Sequence, residues 1–217
     1  MSKQYLHDEV FEISDDLNPI LKDVGPYQYL CIDNFYKRPE DIHQILSESW
    51  TPNWKLDEYR GHNFKDYYDC RATFPIQYKT ADYLKNIPII TTDLKNWTCK
   101  NIYTNTFSWI NPPSSNIQFL PHEDDSLNIL VYMDKINSGG TALYENYKYQ
   151  PDDNEDIDIR YDISELKYHV IPAEFNKCVI FNGRIPHGGY IEDHNQYTNG
   201  NWRQNLVYFF NHAWQIV

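Results

Sequence analysis

The chain has 217 residues, 41% of them hydrophobic, with 19 Tyr, 10 Phe and 6 Trp; this is enough apolar and aromatic mass for a packed core, which excludes a disordered chain and favours β structure over long helices. Its 31 acidic against 19 basic residues leave a formal charge of -12, which repels polyanions and disfavours an extended nucleic-acid-binding face. The four cysteines, Cys31, Cys70, Cys99 and Cys178, form no CxxC pair, so neither a zinc ribbon nor a disulfide-dense scaffold is indicated.

In chain order, "MSKQYLHDEVFEISDD" has no apolar leader segment, and no window approaches the roughly 18 apolar residues of a membrane-spanning helix, so no membrane partner is expected. The stretch 29–36, "YLCIDNFY", predicts a first strand running into a turn. "RPEDIHQILSESW" then predicts a helix: Pro39 suits a first turn, Glu40 and Asp41 favour its positive end, and Ile42, Ile45 and Leu46 make one apolar stripe. A second short helix is expected over 80–86. The triplet Asn96-Trp97-Thr98 matches a glycosylation sequon, to which no weight is given. From about residue 101 the texture becomes a series of short strands broken by turn residues: "NIYTNTFSWI", "LNILVYM", "TALYE", "YHVI", "CVIFN" and "NLVYFF". That rhythm predicts a sandwich or small barrel. Between them the acidic run 152–158 reads as a solvated surface loop, with a substrate lid as the sharper alternative. No internal repeat or linker divides the chain, and a single domain over 1–217 is expected.

The chemistry concentrates in "PHEDD". Side chains two apart on an extended segment share a face, so His122 and Asp124 project together while Glu123 turns away. Asp125, the next acid, points with Glu123. Another histidine, His187 in "FNGRIPHGGY", follows the apolar strand "CVIFN". Two histidines and one carboxylate form the facial set that holds Fe(II) with three positions open. Each piece alone has a plainer reading, a solvated strand end for His122 and Asp124 and a turn residue for His187. Their order shifts the balance, because Arg203 then opens the strand "RQNLVYFF" and shares a face with Asn205 and Val207. A guanidinium aimed into a barrel is costly without an anion, and a ligand carboxylate resolves that cost.

On "PHEDDSLNILVYMD", "SGGTALYE", "IPAEFNKCVIFNGRIPHGG" and "WRQNLVYFFN", which cover roughly the C-terminal half, the sequence resembles the 2-oxoglutarate/Fe(II)-dependent dioxygenases. Within that superfamily it looks most like the prolyl-hydroxylase-like branch, including uncharacterised phage and bacterial members. The resemblance implies a double-stranded β-helix, a jelly-roll or cupin-like barrel over 101–217, with a supporting region over 1–100 whose helices pack on the major sheet. It implies His122, Asp124 and His187 as the catalytic iron ligands and Arg203 as the partner of the distal carboxylate of 2-oxoglutarate. Gly139-Gly140-Thr141 matches the turn before a barrel strand. The cofactors implied are Fe(II), 2-oxoglutarate and O2, with ascorbate as an accessory reductant, and the reaction is hydroxylation of a C-H bond with release of succinate and CO2. A cytoplasmic location is implied, the host cytoplasm if a phage encodes the chain. Sixteen residues separate His187 from Arg203, longer than usual in the superfamily, so "YIEDHNQYTNGN" is expected to be an inserted loop. Arg184 precedes the metal histidine and is the weaker anchor.

Tyr103 and Asn105 share a strand face and are candidates for cosubstrate contact, with ordinary strand hydrogen bonding the equal alternative, and Asn205 is a similar case. His7, His43, His62, His169, His194 and His212 lack a partner at ligand spacing and are read as structural; His62 in "RGHNF" is the one placed for substrate contact. Two other classes compete with the oxygenase. One is a cupin-like isomerase or lyase using the same ligands without 2-oxoglutarate, and the other is a non-catalytic barrel that binds a sugar or protein through its aromatics. The substrate, whether small molecule, peptide or nucleotide, is not legible, although Lys55, Arg60, Lys65 and Arg71 can line a local basic cleft.

Overall fold

The computed structural model describes residues 10–50, 66–72, 77–84, 99–148 and 160–211. The expected lid over 152–158, and His7, His62, His212, Lys55, Arg60 and Lys65, lie outside them. No helix among the described residues is long and apolar enough to cross a membrane.

Among the described residues twelve strands and two α-helices follow one another: β1 (Ile20–Val24), β2 (Tyr27–Ile32), α1 (Pro39–Trp50), β3 (Tyr67–Ala72), α2 (Gln77–Leu84), β4 (Cys99–Trp109), β5 (Ile117–Phe119), β6 (Ser126–Tyr132), β7 (Gly140–Tyr144), β8 (Arg160–Asp162), β9 (Tyr168–Pro172), β10 (Lys177–Asn182), β11 (His187–Tyr190) and β12 (Arg203–Asn211). They form a seven-stranded sheet in the order β1-β2-β10-β6-β12-β4-β3, a three-stranded sheet β11-β7-β9, and the pair β5-β8. Every named strand pairing is antiparallel. The stretch 29–36, expected to be a first strand running into a turn, is the second strand, which starts at Tyr27 and ends at Ile32; the turn follows at Asn34 with φ 53°, a conformation asparagine tolerates. The second helix begins three residues earlier than the expected 80–86.

Alternation gives the large sheet two different faces. Leu127, Ile129 and Val131 of β6 and Leu206, Tyr208 and Phe210 of β12 are buried in one cluster with Ile42, Ile45 and Leu46 of α1. The helix stripe at spacings of three and four belongs to that same cluster. The opposite face carries Leu130 and Tyr132 of β6 and Val179 and Phe181 of β10, which pack with Leu143 of β7 and Ile171 of β9. That second cluster is the space between the two sheets. Arg203, Asn205 and Val207 are in phase with this inner face, because Asn205 pairs with Tyr132 and Val207 with Leu130.

The small sheet enters through Gly139 and Gly140, at φ 116° and 155°. A Cβ at Gly140 would lie 1.9 Å from the Ile171 carbonyl oxygen, so the backbones approach as only glycine permits. The same residue's carbonyl accepts from Arg203 Nη2 at 3.0 Å. Gly140→Ala therefore destabilises the protein by about 2–4 kcal/mol in urea unfolding, through strain in both the left-handed φ and the β7–β9 contact.

Candidate metal centre and guanidinium pocket

His122 and His187 lie 65 positions apart in sequence and are brought together by backbone pairing. His122 N donates to His187 O, and His187 N donates to His122 O, both at 2.9 Å. Asp124 is fixed by its own N–H, which donates to Gly183 O at 2.8 Å. The result is a cluster whose ligand atoms all lie within 4.8 Å of one another and can hold a metal ion. His187 Nε2 stands 3.2 Å and His122 Nε2 3.9 Å from Asp124 Oδ2.

Each ring is turned by its other nitrogen. His122 Nδ1 lies 3.1 Å from Leu120 O and His187 Nδ1 2.8 Å from Ile185 O. A carbonyl accepts only, so both Nδ1 atoms carry hydrogen and both Nε2 atoms are directed inward as potential ligands. Phe181 packs edge-on to the His187 ring at 5.0 Å. The cluster is graded in exposure: the His187 side chain is 6% exposed, Asp124 27% and His122 44%. It is anchored at its inner end and open at the His122 side.

Burial by itself raises the Asp124 carboxyl. The hydrogen bond and the charge that His187 offers when its ring is protonated, the charge of His122 in the same state, and the Asn128 amide outweigh it and hold the group at about 2. Asp124 is therefore an anion throughout the neutral range, the state that metal ligation requires. The neighbouring acids take no part: Glu123 is exposed, and the exposed Asp125 pairs with Arg184 Nε at 3.2 Å. This contact also occupies Arg184 outside the barrel.

Arg203 is 7% exposed. Its Nη2 donates to Gly140 O at 3.0 Å, and its guanidinium carbon lies 5.8 Å from the centre of the Phe119 ring. With the Asn205 amide turned so that its oxygen faces the guanidinium, Oδ1 accepts from Arg203 Nη1 at 2.9 Å and the nitrogen donates to Gln204 O at 3.0 Å. All these partners are neutral. Among the described residues no carboxylate lies within ion-pairing distance of Arg203. Tyr132 lies in the inner cluster, its hydroxyl 2.8 Å from Thr141 Oγ1. Burial raises that phenol, and the nearby Arg203 charge opposes the rise. The segment from Phe119 to Asp124 links the two features, starting on the guanidinium and ending in the His-Asp-His cluster.

The structure thus brings His122, Asp124 and His187 together and sets Arg203 on the inner face. It places Asn205 against Arg203, and Asn105 opposite Asn205 in the β4–β12 register. Tyr103 pairs with Val207 through the backbone, and its side chain is outside the described residues. Sequence reasoning missed Asn128, Phe119 and Tyr132. For Asn128 the signal was present, since it shares the parity of His122 and Asp124 and is a polar residue inside the apolar run "LNILVYM". The long interval after His187 contains a single turn of 3-10 helix, His194–Tyr197, capped by Asp193. It is tied down where Trp109 Nε1 donates to His194 Nδ1 and Tyr197 OH donates to Asp134, both at 2.9 Å. His43 and His169 are bonded to Met133 O and Glu145 respectively.

Neither a family model nor a curated protein sequence matches the chain. Among solved structures, HygX from Streptomyces hygroscopicus with nickel and 2-oxoglutarate bound superposes with a TM-score of 0.53 at 10% identity, over 86% of this chain and 85% of that one. The epimerase SnoN in complex with Fe3+, alpha ketoglutarate and nogalamycin RO gives 0.50 at 9% identity, over 85% and 78%. A Pseudomonas putida prolyl-4-hydroxylase gives 0.48 at 12% identity, over 86% and 94%. The chain shares the fold of HygX and SnoN, a double-stranded β-helix. At these identities the likeness is one of fold, and the chemistry has to be argued from the site itself.

Proposed function

We propose that the protein is a 2-oxoglutarate- and Fe(II)-dependent dioxygenase that hydroxylates a C-H bond of a small molecule, peptide or nucleotide, within a barrel whose major sheet is backed by the N-terminal helices. One observation carries the reading: a buried guanidinium with no carboxylate partner among the described residues stands on the inner wall, one short segment away from a two-histidine, one-carboxylate cluster. Such a guanidinium is costly to bury alone and is satisfied by a ligand's carboxylate. The HygX and SnoN structures, which share the fold, hold a metal with 2-oxoglutarate.

In this reading His122 and His187, through neutral Nε2 lone pairs, and Asp124, as the anion, would hold the Fe(II). Arg203 receives the distal carboxylate of the cosubstrate, oriented by Gly140 O and Asn205. Phe119 beside Arg203 and Phe181 beside His187 would limit the access of water to bound cosubstrate. When bound, Fe(II) with 2-oxoglutarate supplies the oxidation of a substrate C-H bond at the expense of O2, the cosubstrate leaving as succinate and CO2. Substrate reaches the centre from the exposed His122 side.

The test is anaerobic titration of the Fe(II)-loaded protein with 2-oxoglutarate, followed by exposure to O2. A visible charge-transfer band and release of succinate are expected. Metal uptake without either result would move the protein to the cupin-like class. Succinate formed with no one-oxygen mass gain in any product from cell extract would remove hydroxylation while keeping the oxidation.

A further inference from the structure

The three ligands leave one close neighbour of the proposed metal centre without a role. Asn128 stands on the inner face of β6 at 2% exposure. Its Nδ2 donates to Asp124 Oδ2 at 2.7 Å and lies 2.9 Å from His187 Nε2, while those two atoms are 3.2 Å apart. The amide is held in this orientation, because Ser126 Oγ donates to Asn128 Oδ1 at 2.7 Å. Gly183 backs it closely: a Cβ there would come within 2.9 Å of Asn128 Oδ1 and 2.5 Å of Ser126 O.

These distances bound the position of Asn128 relative to any ion in the site. An ion about 2.1 Å from both Oδ2 and Nε2 lies on a circle about their midpoint, and no point of that circle is farther than about 3.7 Å from Nδ2. The amide therefore borders the coordination sphere from whichever side the ion enters. Its two N–H groups sit between a carboxylate oxygen and an imidazole lone pair, two acceptors that would otherwise repel. When His187 gives its lone pair to a metal, one N–H is released. The other stays on Asp124, whose oxygen has a further lone pair to offer.

We propose that Asn128 is a positioning residue of the metal centre: it sets Asp124 and His187 in ligating geometry before the ion arrives and offers its released N–H to an oxygen ligand bound beside them. The inference rests on the metal-dependent reading above and extends it by one residue. Groups that orient metal ligands in this way typically carry about 10- to 100-fold of metal affinity.

The test uses Asn128→Leu, which removes both donors at nearly constant shape, and Ser126→Ala, which frees the amide to rotate. Each is titrated with Co(II) alone, reading affinity and the visible absorption bands, after thermal unfolding of the metal-free protein confirms that it is folded. Asn128→Leu is expected to weaken Co(II) binding about 10- to 100-fold and to shift the bands, with a smaller change of the same sign in Ser126→Ala. Wild-type affinity with unshifted bands in both variants overturns the proposal. Tighter binding in Asn128→Leu overturns it as well, since the amide would then be only an obstruction. Should Asn128→Leu not fold, Ser126→Ala decides on the same two readings. Wild-type protein whose Co(II) binding is lost in His122→Ala but kept in Asn128→Leu retains the metal reading and loses only the role of Asn128; wild-type protein that takes up no Co(II) loses both.

Discussion

His187→Ala abolishes stoichiometric Fe(II) binding and, with it, succinate formation. The expectation rests on how the cluster is held. His187 is its most buried member and the one whose Nε2 comes within 3.2 Å of Asp124 Oδ2, so without it only the half-exposed His122 shares the cation with Asp124. Loss of a direct ligand exceeds the roughly 10- to 100-fold that a merely orienting group carries. The fold should persist, because the paired backbone bonds between residues 122 and 187 need no imidazole. What is lost are the hydrogen bonds to Ile185 O and from Asn128 Nδ2 and the ring's contacts with Phe181 and His122, on the order of 1–3 kcal/mol in chemical unfolding. Anaerobic titration calorimetry with Fe(II) reads the binding and circular dichroism the fold. A folded variant that binds iron as the wild type does would remove His187 from the site.

The parts of this site that could be read from sequence are those written in local spacing. His122 and Asp124 share a face because strand side chains alternate, and the structure exposes Glu123 and Asp125 on the other side as alternation requires. The meeting of residues 122 and 187 depends on a single antiparallel bridge, a contact that neither segment announces on its own. β11 was invisible for a related reason: "HGGY" carries two glycines, which weaken a strand. Tertiary packing demands at least one of them, since a Cβ at Gly189 would lie 2.9 Å from the Phe119 ring, the ring that covers Arg203. β1 escaped because an edge strand with an exposed, mixed pattern lacks the period-two signal. The segment after His187 reads as an insertion from its length, but its attachment through Trp109 and Asp134 rests on buried polar pairs that composition does not encode.

Arg203→Met should separate the cost of the guanidinium from its use. Arg203 is buried against a carbonyl, an amide and a phenyl face, with no carboxylate among the described residues within ion-pairing distance. Replacing such a group by an apolar side chain of similar length is commonly neutral or stabilising, by about 1–4 kcal/mol where whole buried ion pairs have been replaced. The ligand-free melting temperature is therefore expected to hold or rise. The 2-oxoglutarate complex behaves oppositely: a carboxylate that has lost its buried cation costs about 2–5 kcal/mol, a loss of affinity between roughly 30-fold and a few thousandfold. The rise in melting temperature that saturating 2-oxoglutarate gives the metal-loaded wild type should vanish in the variant. Arg203→Lys should fall between the two, because an ammonium keeps the charge and gives up the bidentate fork. If Arg203 were only a structural strut between β12 and Gly140, the signs would reverse, with the ligand-free variant melting lower and its 2-oxoglutarate affinity unchanged. A stable variant that has lost its ligand and an unstable one that keeps it are opposite outcomes of one pair of melting curves, and only the first agrees with a guanidinium held in place for an anion.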